Sequence, residues 1–403
     1  MKVKLTELKS GYTGERRISN LSQKSRAKAI IIGALILSFV FVYILSSVGV
    51  IPLDALILKA KVTVSGNDER FPLLINSEST ICTDILGESV IVLSTDNVAV
   101  YTPEGKLKFS QPHIFSKPGI SVNGDKCVVF DRGGNGFVLI TEKKVVYEGK
   151  TENTIISAEY GDNGVYALST KVAGATSDVE VYNKSNNLIF QWKCAYENIV
   201  SISLSDNGKY VAVAALGAKN GNLFTNIQYF GVDYKEPLNT QTITGAVPFD
   251  IDFTSYNTLT LLTDVGVYTI NRKAEKYVES LKYYSSEFNS CDIAENGKYL
   301  VCLAKYGSEN VFEVHLMKSN GNIKTTIQAD YSIKNVKMSD KYIFVLGDKA
   351  IYVYNYNGKM VSQITCKGEA QAILPTDDFV FVVSLDKISR CFSYGNSEIK
   401  LSN

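Results

Sequence analysis

Ser205-Asp206-Asn207-Gly208-Lys209-Tyr210-Val211-Ala212-Val213 and Ala294-Glu295-Asn296-Gly297-Lys298-Tyr299-Leu300-Val301-Cys302 are two copies of one pattern. Each places an Asn-Gly turn, which admits positive φ, between an alternating segment (Ile199 to Leu204 or Asn289 to Ile293) and an apolar run. The pattern reads as strand, tight turn, buried strand. Weaker copies lie at Val122 to Val129, Gly161 to Leu168 and Met338 to Val345, and further apolar segments fall in phase at Ser89 to Leu93, Leu259 to Leu262 and Phe379 to Ser384.

A second element follows each apolar run. Val100 to Leu107, Val181 to Leu188, Leu316 to Ile323 and Val353 to Met360 each read as a strand, an Asn- or Gly-bearing turn and a return strand. One unit therefore contains four strands, and units begin near residues 80, 119, 155, 199, 249, 289, 333 and 370. Repeats of this length predict an all-β fold, a β-propeller of eight four-stranded antiparallel blades, with seven as the alternative count. A lone blade is apolar on both faces; packing blades around an axis buries both, and closing the ring leaves only short edges. The final unit needs a fourth strand, which either Glu398 to Ser402 or the segment Lys59 to Asn76 can supply.

Ahead of the repeats, Ala29 to Ile51 is uncharged and apolar, 23 residues that span a ~30 Å hydrocarbon core as one helix. Residues 1–28 carry eight Lys or Arg against two Glu, so the positive-inside rule places the N-terminus in the cytoplasm and the large domain outside it. The apolar run is longer than the core of a cleaved signal peptide and lacks a clear small-residue cleavage site, which favours an uncleaved signal anchor. The expected organisation is a basic cytoplasmic tail over 1–28, a transmembrane helix over 29–51, a linker with an entry strand over 52–79, and the propeller over 80–403. Removing the tail leaves a mildly acidic remainder, which argues against nucleic acid as a partner.

The S-D-N-G-K-Y stretch at Ser205 to Tyr210 resembles the repeats of TolB-type and WD40-like propellers, and the turn at Tyr354 to Lys359 resembles the outer hairpins of quinoprotein-like repeats. The whole layout is similar to an uncharacterised group of membrane-anchored propellers of Gram-positive bacteria. The resemblance implies a cell-membrane location and a fold, and brings no reaction with it. Quinoprotein dehydrogenases carry a tryptophan in most blades, whereas this chain has only Trp192, so no quinone cofactor is expected.

Catalytic chemistry is sparse. His113 and His315 are far apart in sequence and read as structural side chains, and no H-E-x-x-H, G-x-S-x-G or phosphate-cradling motif occurs. Arg132 to Gly136 is Gly-rich but opens no helix. Seven cysteines lack C-x-x-C spacing, so no zinc is expected; equal distances from the turn centre put Cys291 opposite Cys302, which leaves a cross-strand disulfide open beside the preferred reading of buried thiols. Asp125, Asp162 and Asp377-Asp378 read as turn residues, with no calcium loop.

Binding is the better-supported role. Insertions between second and third strands, Lys171 to Ser177, Leu216 to Thr225 and Lys305 to Asn310, should project from one face of the ring, which makes Lys171, Thr176, Lys219, Asn220, Asn222, Phe224, Lys305, Tyr306 and Glu309 the candidate contact residues. Tyr283-Tyr284 beside Phe288 is a candidate aromatic patch. The expected partner is an extracytoplasmic protein at the cell envelope, with cell-wall glycan as the second candidate. The alternative function is a carbohydrate receptor or hydrolase using carboxylates at the channel mouth.

Overall fold

The computed structural model describes residues 71–392 apart from 77, 162, 173–176, 295 and 367–369. The predicted span, its basic tail, the entry strand at Lys59 to Val64 and the Glu398 to Ser402 strand lie outside the described residues; among those described, no helix is long and apolar enough to cross a membrane. Eight four-stranded antiparallel sheets make up the described chain. Seven are simple meanders: blade 1 (residues 80–112), blade 2 (118–150), blade 3 (154–194), blade 4 (198–244), blade 5 (248–282), blade 6 (286–329) and blade 7 (333–365). Blade 8 takes its first three strands from 372–392 and its outer strand from Leu73–Leu74, so a piece of chain from before the first blade closes the ring.

Side-chain alternation explains why the sheets associate. In blade 4, Val211 and Val213 pack toward blade 3 on Val179, Val181 and Phe190. The intervening Ala212 and Ala214 pack toward blade 5 on Ile251, Phe253, Leu259 and Leu261. Second and third strands are thus buried on both sides, at roughly 1.5–3 kcal/mol per large side chain removed from water. The outer strand Leu188–Cys194 instead alternates exposed and covered residues. The first strands line the axis, Asn198–Leu204 lying between Thr154–Tyr160 and Pro248–Ser255. At the closing seam, Arg390 is buried over Phe71 and Phe379, 5.4 and 5.5 Å from the ring centres, and donates to the carbonyl of Pro103 in blade 1.

The two founding repeats differ by one residue in their turns. In the first, the Ser205 hydroxyl accepts from the amide of Tyr210 at 3.0 Å, and Leu204 pairs with Val211. In the second, Ala294 has no hydroxyl to offer, and Ile293 pairs with Tyr299. Cys291 therefore pairs with Val301 and Cys302 with Ser290, so the two thiols face opposite sides of the sheet, and none of the seven cysteines forms a disulfide. A one-residue slip moves every side chain to the other face, which removes the cross-strand disulfide that equal spacing had left open.

The Leu216 to Thr225 segment is a ladder where a loop was expected. Strands Tyr210–Lys219 and Asn222–Gly231 stay paired to Lys219 and Asn222, and Asn220 and Gly221 make the turn with φ of 52° and 80°. Two consecutive positive φ values suit the twist of a hairpin, and an Asn-Gly pair supplies them. Phe224 covers Gly217 across the ladder, where any side chain would collide with its ring. The Gly-rich Arg132 to Gly134 straps blade 2 to blade 3: Gly133 donates to Ile155 at 2.8 Å, and Ile155 donates to Gly134 at 2.7 Å.

Candidate functional site: the long-connection face and channel mouth

Because first strands all run the same way relative to the axis, one face carries the second-to-third-strand and blade-to-blade connections, and the opposite face carries the remaining turns. The turn face carries polar segments such as Asn207-Gly208-Lys209 and Asn320-Gly321-Asn322. The long-connection face exposes large apolar and aromatic side chains: Tyr306 at 74%, Tyr284 at 86%, Tyr196 at 89% and Ile114 at 95%, with Leu223, Phe249 and Leu385 also exposed. On the turn face, Tyr234, Leu238 and Tyr256 are exposed in the connections, and Leu107, Leu188, Val278, Ile323 and Met360 at the starts of outer strands, none above 61%.

Lys171, Lys219, Asn220, Asn222, Lys305 and Glu309 are exposed on the long-connection face, while Phe224 is half-buried against Gly217 and Thr176 lies outside the described residues. They span blades 3, 4 and 6, and the structure draws only the last group into a built feature. The amide of Tyr306 donates to the carbonyl of Ser285 at 3.0 Å, which ties this loop to the Tyr283-Tyr284 connection. Tyr283 is buried against Phe288, 6.2 Å between ring centres, and Phe288 meets Phe249 of blade 5 at 5.3 Å. Tyr284 projects outward at φ 48°, with the ammonium of Lys282 5.6 Å from its ring centre. Phe249 escaped the sequence argument because it lies in a strand; its place just after Pro248, at the start of an inner strand, was the available signal.

Directly after Phe249, the channel wall turns acidic. The Ser201 hydroxyl donates to Asp250 Oδ1 at 2.7 Å, the Ser203 hydroxyl donates to Asp252 Oδ1 at 2.9 Å, and the Leu204 amide donates to Glu159 Oε2 at 2.8 Å. These bonds link the inner strands of blades 3, 4 and 5. Burial, reinforced by the other carboxylates, pushes Glu159 well above the ordinary range, and it raises Asp252 to about 7; burial also raises Asp250. Asp250 keeps an exposed surface, although the protein around its carboxyl is dense enough to raise it. On the next two blades of the ring, Lys337 of blade 7 binds Asp292 of blade 6 at 2.8 Å, and the Met338 amide donates to the same carboxylate at 2.8 Å. Burial acts to lower the ammonium pKa there, but Asp292 and Asp84 outweigh it and the net shift is upward.

Neither histidine joins the blade 5–6 aromatic cluster or the carboxylates of the inner strands. His113 contacts the Ser94 carbonyl at 3.2 Å and stacks on Phe115, and His315 is buried between Thr326 and Glu313 on a third strand. Among the described residues, no group of three or more His, Cys, Asp or Glu is arranged to hold a metal ion.

A closed ring of eight four-stranded blades defines a β-propeller with distant WD40-like structural relatives. The chain belongs to the Family of unknown function (DUF5711), whose model matches residues 73–391. The C-terminal WD40 domain of Sif2 is similar in fold, with 10% identity and a TM-score of 0.55 over 80% of this chain and 99% of that one. BamB from Moraxella catarrhalis has 13% identity and a TM-score of 0.48 over 78% and 99% of the two chains. No curated protein matches the sequence.

Proposed function

We propose that this protein is a membrane-anchored, extracytoplasmic binding platform at the cell envelope, and that it engages a protein partner through the long-connection face. The observation that carries this reading is that Ile114, Tyr196, Tyr284 and Tyr306, exposed at 74–95%, all lie on the connections of one face, with Phe249 and Leu385 on the same face, whereas no large apolar side chain described on the turn face exceeds 61%. Exposed apolar patches of this kind mark interaction surfaces. The 23-residue apolar run and the basic tail ahead of it support the anchor and the orientation.

The test is crosslinking and affinity recovery of the full chain from its native membrane. One stoichiometric protein should be recovered, and Tyr284→Ser with Tyr306→Ser should reduce recovery while Tyr234→Ser on the turn face leaves it unchanged. Equal recovery with all three proteins would overturn the assignment of the face, and retention of glycan with no protein partner would favour the receptor alternative. Protease added to intact spheroplasts should digest the propeller; a protected propeller would refute the orientation.

A further inference from the structure

The inner strands carry an excess of acid. Asp84, Glu159, Asp250, Asp252, Glu287 and Asp292 stand against Lys334 and Lys337. The imbalance is local, because Lys337 is committed to Asp292, while the inner strands of blades 2–5 hold Glu159, Asp250 and Asp252 and no Lys, Arg or His. Of these three, Asp250 is the exposed one, and it directly follows the exposed Phe249 in the chain. The Ser201 hydroxyl and the Ile251 amide both donate to its Oδ1, at 2.7 and 2.9 Å, which leaves Oδ2 with no donor among the described residues.

The seam beside Phe249 is also unlike its neighbours. The inner strands of blades 5 and 6 approach each other less closely than those of blades 4 and 5 or of blades 6 and 7. At the turn face the same seam is tight: Gly297 abuts the Thr254 carbonyl, and the Thr254 hydroxyl donates to Ser319 at 3.1 Å. Toward the long-connection face, Phe249 on Phe288 occupies the junction, with Tyr283 beneath.

Resting on the platform reading, we infer that this mouth takes a loop of the partner protein that presents an apolar side chain beside a lysine or arginine. The apolar side chain packs on Phe249 and Phe288, and the cation reaches Asp250 Oδ2. Charge complementarity selects this occupant: an acidic residue would enter a channel already short of cations, and a neutral one would leave Oδ2 unpaired. A cation placed there also gains from the partial exclusion of bulk water.

Constrained peptides displayed on phage, panned against the full-length protein in a lipid nanodisc, test this directly. Enriched sequences should pair an aromatic or aliphatic residue with Lys or Arg. Their affinity should fall about tenfold on Asp250→Asn and by a similar factor on Phe249→Ser, the loss expected for a central ion pair or apolar anchor. Asp250→Asn keeps the acceptor that Ser201 uses, and an unchanged thermal melt confirms that the variant is folded. Enrichment of peptides without a basic residue, or binders indifferent to Asp250→Asn, would overturn the inference. If those variants leave recovery of the native partner intact while Tyr284→Ser with Tyr306→Ser abolishes it, this inference fails and the platform stands. If no partner is recovered at all, the platform reading itself fails.

Discussion

Asp252 should make the fold less stable as the pH rises toward neutrality. Its carboxyl holds a proton in the native ring up to about pH 7, whereas the unfolded chain releases it near 3.8. Between those values the native state binds more protons than the unfolded state, so stability falls with rising pH and levels off once both are ionised. A shift of about three pH units is worth roughly 4 kcal/mol at most. Channel water and the sharing of protons with Glu159 and Asp250 reduce the expected effect to about 2 kcal/mol. Asp252→Asn removes the charge and keeps the acceptor for the Ser203 hydroxyl. Urea unfolding of full-length wild type and variant, from about pH 5 to about pH 8, should give curves that diverge by about 2 kcal/mol, the variant being the more stable at the alkaline end. Glu159 and Asp250 titrate in both proteins, so the difference between the curves isolates Asp252 and its coupling to them. Parallel curves, or a variant less stable than wild type at the alkaline end, would refute the reasoning.

The ion pair between the inner strands of blades 6 and 7 should respond differently. Lys337→Met leaves Asp292 enclosed without its cation and should cost about 2–4 kcal/mol of unfolding free energy, most of it recovered in the Asp292→Asn, Lys337→Met double variant; equal loss in both would remove the ion-pair explanation. Gly297→Ala combines a φ of 73° with collision against the Thr254 carbonyl and should cost about 2–4 kcal/mol, read as a denaturation midpoint. Gly307→Ala has the same φ but open space around it and should cost only about 1 kcal/mol, so equal losses would show that the blade 5–6 contact contributes nothing. Burial raises the Cys291 and Cys302 thiols to about 12, so neither should be alkylated in the native protein at about pH 8, and reducing agent should not shift the melt. Mass mapping of rapid labelling at either residue would contradict their placement.

The ring was legible because its physics is local and repeated. An Asn-Gly turn followed by an apolar run returns in each of the clearest units, and strands buried on both faces need no long-range information to be recognised. The readings that went astray turn on single residues. Ala294 in place of Ser205 shortens one hairpin and reverses the relation of Cys291 to Cys302, an effect that spacing alone does not register. Asn220-Gly221 carries the same turn signal as the founding repeat, but the Ala, Gly and Lys around it suggested a loop, and only cross-strand packing of Phe224 over Gly217 reveals a ladder. The candidate site was half visible. Tyr306 and the Tyr283-Tyr284 pair can be singled out as loop and aromatic residues, but Phe249, Asp250 and Asp252 on one strand and Glu159 on another sit far apart in sequence. Only ring closure brings those strands to one axis, so their carboxylates read as unrelated strand residues until the first strand of every blade is known to face the channel. The same closure gives the sequence repeats their functional asymmetry. Identical meanders would make eight equivalent blades, and it is the residues least bound by the repeat, Tyr284, Tyr306 and Phe249, that set blades 5 and 6 apart from the rest.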